Sequence, residues 1–227
     1  MSQVDITVAA DPDEAARLAA ERLAEQARSG GSIVLTGGST PRRAYEIAAE
    51  LEPDWSRAEL WWGDERCVAP DDERSNYGMA KTALLDRVEN EPHAVHRMPG
   101  ELGRDEGSRE YRLELADAGT FDLVLLGLGP DGHIASLFPN FPTLDVTGRD
   151  VVGTDPGLEP LVDRISMTLP RLCNTRELLF LVTGEDKAEA AERALAGKPS
   201  HLTPGSLARS AEGTTRAILD RAAASNL

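Results

Sequence analysis

The sequence predicts an α/β protein built on a doubly wound, mainly parallel sheet with helices on both faces. Three observations carry that reading. Short, unbroken apolar runs recur, among them Leu123-Val124-Leu125-Leu126 and Leu178-Leu179-Phe180-Leu181-Val182, as expected of strands buried on both faces. Segments of helical apolar spacing alternate with these runs. Several runs also end in glycine-rich or charged loops, at the edge where open α/β sheets bind ligands.

In chain order, Val4 to Val8 reads as a first strand. Pro12 to Arg28 follows as an amphipathic helix with Asp11 as N-cap and Gly30-Gly31 as its stop. Ser32 to Leu35 is the next strand. It leaves through Thr36-Gly37-Gly38-Ser39-Thr40-Pro41, with Pro41 placed at the first helical position of a helix reaching about Leu51. Ala58 to Trp62 is a third strand, and Gly63-Asp64-Glu65-Arg66 reads as a charged loop at its end. Ser75 is the N-cap of a helix to about Leu85. Val95 to Met98 makes a short strand and Arg104 to Ala116 a charged surface helix. Beyond Leu126 the chain enters Gly127-Leu128-Gly129-Pro130-Asp131-Gly132-His133, then a proline-rich segment with at most one short strand at Asp150 to Thr154. Strands follow at Asp163 to Thr168, Glu177 to Thr183 and Thr215 to Leu219, with a helix from Lys187 to about Ala196 before the last of them. No repeat, linker or composition break divides the 227 residues, so a single domain spanning 1–227 is expected.

The chain is 41% hydrophobic and 28% charged, as in ordinary globular proteins. Its 39 acidic and 24 basic residues give a net charge of −15, which argues against nucleic acid or an anionic membrane as partner. A small anion still binds where a few basic residues converge. Cys67 and Cys173 read as reduced thiols. The start, Met1-Ser2-Gln3-Val4-Asp5, has neither a basic nor an apolar leader, and no apolar run approaches the ~20 residues of a membrane span. A cytoplasmic protein is expected, and no metal site has recognisable ligand spacing.

Two loops carry chemistry. Gly37, Gly38, Ser39 and Thr40 lie between a strand and a helix start, where backbone N–H groups, hydroxyls and the helix dipole favour an anion; a plain connection with a Ser or Thr cap is the alternative. In the loop after Leu126, Asp131 and His133 pair a carboxylate with an imidazole. Gly127, Gly129 and Gly132 match GxGxxG, but Pro139 and Pro142 limit any following helix to about two turns, against a dinucleotide site.

Six motifs in this order resemble the 6-phosphogluconolactonases of the glucosamine-6-phosphate isomerase/deaminase superfamily. They are Thr36 to Pro41, Trp62 to Arg66, Ser75-Asn76-Tyr77, Gly127 to Pro139, Arg164-Ile165-Ser166 and Gly184-Glu185-Asp186-Lys187. The resemblance runs from about Gly31 to Ala224. It implies a Rossmann-like fold of the isomerase/deaminase type and hydrolysis of 6-phospho-D-glucono-1,5-lactone to 6-phosphogluconate, a step of the oxidative pentose phosphate pathway. It also implies no metal or organic cofactor. Deaminases that resemble this loop carry a glutamate before the proline, where this chain has Phe138, and read Asp-Glu-Tyr where it has Asp64-Glu65-Arg66.

By the same resemblance, Gly38, Ser39, Thr40, Arg164 and Lys187 hold the phosphate. His133 is the candidate general base, since an imidazole titrates near neutrality. Asp131 either orients that ring or a substrate hydroxyl, or braces the loop through backbone amides. Asp64 and Arg66 meet sugar hydroxyls or developing negative charge, and Arg66 alternatively the phosphate. Ser136, in a leucine/phenylalanine context, reads as packing. The expected partner is a small sugar-phosphate lactone, with the chain a monomer or small homo-oligomer. The rival readings are an amino-sugar-phosphate isomerase/deaminase and a non-catalytic sugar-phosphate sensor.

Overall fold

A computed structural model describes residues 3–227. Met1 and Ser2, where the leaderless start was read, lie outside it. A seven-stranded sheet, all parallel, runs in the order β1-β10-β9-β6-β2-β3-β5. Its strands are β1 (Val4–Ala9), β2 (Gly31–Leu35), β3 (Ala58–Trp62), β5 (Ala94–His96), β6 (Phe121–Leu126), β9 (Thr175–Val182) and β10 (Thr214–Asp220). From β2 the chain winds outward through β3 to β5. From β6 it winds the other way, through β9 to β10. Right-handed crossovers therefore put the helices of the two halves on opposite faces. The reversal falls between neighbours β2 and β6, and the loops leaving those two strands are the two singled out by sequence.

The predicted caps form. Asp11 accepts from the Glu14 amide at 2.9 Å to start α1 (Pro12–Ser29), and Gly30 ends it at φ 87°. The next helix, α2 (Ser39–Leu51), starts two residues earlier than expected, so Pro41 is its third residue rather than its first. Gly38 caps it at φ 117° with no side-chain hydrogen bond, so neither Ser39 nor Thr40 is the N-cap. Apolar residues of both helices and the central strands fill one continuous core.

The segment Asp64–Arg66 corrects a second expectation. It is a strand, β4, rather than a loop, and it pairs antiparallel with β8 (Arg164–Met167), which pairs in turn with β7 (Val151–Thr154). These three make a separate small sheet. Three charged residues in a row conceal a strand because strand alternation turns them to opposite faces. Asp64 and Arg66 share the cavity side, while Glu65 is buried behind them. The Glu65 carboxylate accepts from the amides of Asn76 (2.7 Å) and Tyr77 (2.8 Å) and from Ser75 Oγ (2.9 Å), at the start of α3 (Asn76–Ala80). It also accepts from the Arg66 amide at 2.7 Å. Burial pushes its carboxyl upward, and these four donors oppose the shift. Ser75 caps α3 as expected, and a wider π-helical turn, Lys81–Leu85, completes the segment.

The remaining α-helices among the described residues are α4 (Gly103–Glu114), α5 (Leu169–Cys173) and α6 (Ala188–Ala191). No helix among the described residues is long and apolar enough to cross a membrane.

Removing the Glu65 side chain leaves several buried donors unpaired at once. Glu65→Ala is expected to lower unfolding free energy by about 3 kcal/mol, the range for orphaned buried polar groups. Denaturant unfolding measures it, and a loss below about 1 kcal/mol would show that water replaces the carboxylate.

Candidate active site

A cavity of about 510 Å³ opens at the winding reversal. Gly37, Gly38, Ser39, Thr40, Asp64, Arg66, His133, Arg164 and Lys187 all line it. Seven sequence segments thus supply one site: the exits of β2, β6 and β9, with β4, α3, β8 and the loop before β8. Asp131 is the exception among the sequence-derived candidates. It stands behind His133 rather than in the cavity wall.

The exit of β2 is fixed from within α2. The buried Tyr45 hydroxyl accepts from the Thr36 amide at 2.9 Å and donates to its carbonyl at 2.8 Å. Gly37 must be a glycine, since a Cβ there would stand 2.0 Å from Asn76 Oδ1. The first turn of α2 then has no side-chain cap and no acidic residue, whereas α1 has Asp11 as cap and Asp13 and Glu14 in its first turn. The amides of Ser39 and Thr40 are left for an anion. Thr40 Oγ1 is bonded to Thr183 Oγ1 at 2.6 Å, so its hydroxyl reaches a ligand only as part of that pair.

Positive charge converges from two sides. Lys187 follows Gly184, whose amide is held by Asp220 at 3.1 Å. Its Nζ lies 3.2 Å from Asp186. Arg66 and Arg164 are directly opposite each other in the β4–β8 ladder. Arg164 is buried, and its guanidinium donates to the carbonyls of Leu158, Pro160 and Val162. Arg66 donates to the Arg74 carbonyl at 2.7 Å, and its buried Nε has no partner. Among the described residues neither guanidinium has a carboxylate within ion-pair distance. Burial, then the Arg66 charge, lowers the Arg164 pKa. Two apposed cations repel unless an anion joins them, so this wall favours a negatively charged ligand.

The exit of β6 builds the acid–base pair. Gly132 donates to the Gly129 carbonyl and Gly129 to the His133 carbonyl, both at 2.9 Å, folding the loop tightly on itself. Gly129 admits the ring because a Cβ there would lie 2.0 Å from His133 Nδ1. Asp131 Oδ1 accepts from the His133 amide at 3.0 Å and lies 2.6 Å from Nδ1. Half-burial pushes the Asp131 carboxyl up, but the hydrogen bond and charge of His133 outweigh it and hold it below the usual range. An ionised carboxylate only accepts, so Nδ1 carries the hydrogen, and in the neutral ring the lone pair is then on Nε2. One oxygen of Asp131 thus contacts both the ring and the loop backbone. Phe138 packs against the ring, with centroids 4.8 Å apart.

The family model of glucosamine-6-phosphate isomerases/6-phosphogluconolactonase matches residues 9–217. The chain belongs to this family. A 6-phosphogluconolactonase of Streptomyces coelicolor is 39% identical, over 98% of this chain and 94% of its own. The 6-phosphogluconolactonase of Trypanosoma brucei superposes with a TM-score of 0.88 at 26% identity, covering 100% of both chains. A monomeric glucosamine-6-phosphate deaminase superposes with a TM-score of 0.86 at 21% identity over 99% of this chain and 100% of its own, which shows the fold alone.

Other cavity residues escaped the sequence reading, among them Asn76, Thr183 and Glu159. Asn76 donates to the Asp64 carboxylate at 3.2 Å and to its carbonyl at 2.9 Å. Its place in the Ser75-Asn76-Tyr77 motif was a signal, but its distance from Asp64 was not legible. Thr183 joins Thr40, and Glu159 enters from the proline-rich segment, which had no readable pattern. The other histidines serve elsewhere: His96, away from the cavity, stacks on Trp61 at 3.8 Å between Glu59 and Glu114.

The anion cradle makes a binding prediction. Lys187→Ala should weaken affinity for a sugar 6-phosphate at least about tenfold, the loss of one charge-assisted contact. Arg176, exposed at the opposite end of β9 and paired with Asp122, is the control and should change nothing. Titration calorimetry reads both, and equal affinities for wild type and Lys187→Ala would remove Lys187 from the cradle.

Proposed function

We propose that this chain is a 6-phosphogluconolactonase that hydrolyses 6-phospho-D-glucono-1,5-lactone to 6-phosphogluconate with His133 as general base. The observation that carries it is the convergence, in one cavity, of a carboxylate-oriented imidazole with an uncapped helix start and three cations. The lactonase names of relatives 39% identical over nearly the whole chain support the same reaction.

In this reading the phosphate lies against the first turn of α2 and Lys187, which anchors the reactive ring beside His133. His133 Nε2 takes a proton from water as the water oxygen attacks the lactone carbonyl. Asp131 stabilises the imidazolium that forms. Arg66 or Arg164 offsets the negative charge on the tetrahedral carbonyl oxygen. Collapse breaks the ring C–O bond, and the imidazolium returns its proton to the departing ring oxygen. Water is consumed, and no electrons are exchanged.

Phe138 argues against the deaminase rival. The resemblance puts a glutamate there in deaminases, as partner of the histidine in ring opening. Here an apolar ring fills that place, and among the described residues Asp131 is the only carboxylate paired with the His133 ring.

Lactone generated in situ, with the spontaneous rate subtracted, gives the decisive assay. His133→Ala should lose about 10²–10⁴ in kcat, the usual worth of a general base. Near-normal turnover in that variant would remove His133 from the mechanism, and ammonia release from glucosamine 6-phosphate would favour the rival. Asp131→Asn keeps an acceptor for the His133 amide but loses the charge. Its kcat should fall by about 10-fold or more while KM holds, and an unchanged kcat would leave Asp131 with the loop-bracing role alone.

A further inference from the structure

The hydroxyl of Ser136 takes no part in the chemistry above, and its neighbours predict mere packing. The geometry points to a different role. We infer that Ser136 is a positioning residue: its buried hydroxyl ties the Asp64 carboxylate to the loop that carries His133, so that Asp64 meets the sugar as a fixed hydrogen-bond acceptor in register with the base. The inference rests on the lactonase reading and deepens it.

Ser136 is fully buried, and its Oγ donates to Asp64 Oδ2 at 2.7 Å across 72 positions of sequence. Asp64 Oδ1 receives Asn76 Nδ2 at 3.2 Å. Each oxygen is thereby held by a separate element, one by the loop and one by α3. A carboxylate offers about four lone-pair directions, so acceptor capacity is left on a group that lines the cavity. Donors already fixed on both oxygens commit Asp64 to receiving hydroxyl hydrogens from a polyol ring.

The same residue anchors the loop from its backbone. The Ser136 amide donates to Ser166 Oγ at 3.3 Å, on the strand that begins with Arg164. Just before it, Ala135 lines the cavity at φ 47°, inside a turn closed by the Leu137 amide on the Ile134 carbonyl at 2.9 Å. An L-residue in that region is strained and persists where its surroundings over-determine it. Ser136 supplies two such constraints, one from β4 and one from β8. It links β4, the loop of His133 and β8, which are far apart in sequence.

A double-mutant cycle with the intact chain tests the inference. Ser136→Ala should lower kcat for the lactone at least about tenfold while KM moves less than about threefold, because the phosphate anchor stays and only alignment is lost. Ser136→Cys, close in size and with a weak donor, should recover part of the loss. In an Asp64→Ala background, Ser136→Ala should cost less than about twofold more, since coupled residues are non-additive. A folded Ser136→Ala with wild-type kcat overturns the inference, and so do equal losses in both backgrounds. If Ser136→Ala fails to fold, Ser136→Cys decides in both backgrounds by the same comparison. A wild-type chain that does not accelerate lactone hydrolysis overturns the parent reading instead, before any variant is compared.

Discussion

The constraint on which the rest depends is the reversal of winding between β2 and β6. Right-handed crossovers send the two departing chains to opposite faces, so no helix closes the gap above these neighbouring strand ends. What the sequence places directly after Leu35 and Leu126 must therefore border a crevice. After Leu35 stand glycines and a bare helix start, and after Leu126 a glycine-tight turn bearing His133. The small antiparallel sheet then supplies the third wall. Through β4 and β8 it brings in Asp64, Arg66 and Arg164.

Electrostatics in this molecule operate on two scales. The whole chain carries −15, a field that repels anions at long range. Within the cavity Lys187, Arg66 and Arg164 match Asp64, Glu159 and Asp186 in number, and the amides of α2 add partial positive charge, so the bulk excess of acid is offset there. Solvent screening confines the bulk field to about 8–10 Å at physiological salt. A small anion that reaches the crevice meets the local charges instead. The apposition of Arg66 and Arg164 also explains why Arg164 is tethered to three backbone carbonyls. Carbonyls orient a guanidinium without neutralising it, as a carboxylate partner would.

The sequence made the main sheet legible because its strands are continuous apolar runs, and a run such as Leu123 to Leu126 has few alternatives. The caps at Asp11 and Ser75 were legible for the same local reason. Three features were not. The strand at Asp64–Arg66 is hidden because its burial is polar: Glu65 is satisfied by the start of α3, a contact that no local pattern encodes. The start of α2 was misplaced because Pro41 is tolerated anywhere in the first turn, where its missing N–H has no helical partner. Ser136 read as packing because its acceptor lies 72 residues away. Individual site residues were visible through their loops, whereas the bonds among them depend on register and crossover geometry. Those bonds are what sequence alone left unread.

The chemistry at His133 turns on what surrounds one imidazole. A ring bonded through Nδ1 to an ionised carboxylate, with an apolar ring 4.8 Å away, is basic at a single nitrogen. That suits a base which removes one proton from water and returns it to a leaving oxygen. A second carboxylate in the position of Phe138 would offer another proton acceptor beside the ring. Here the apolar side chain stands beside His133, while Ser136 and Asn76 hold Asp64 as an acceptor, which suits the proposed role of His133 as the base.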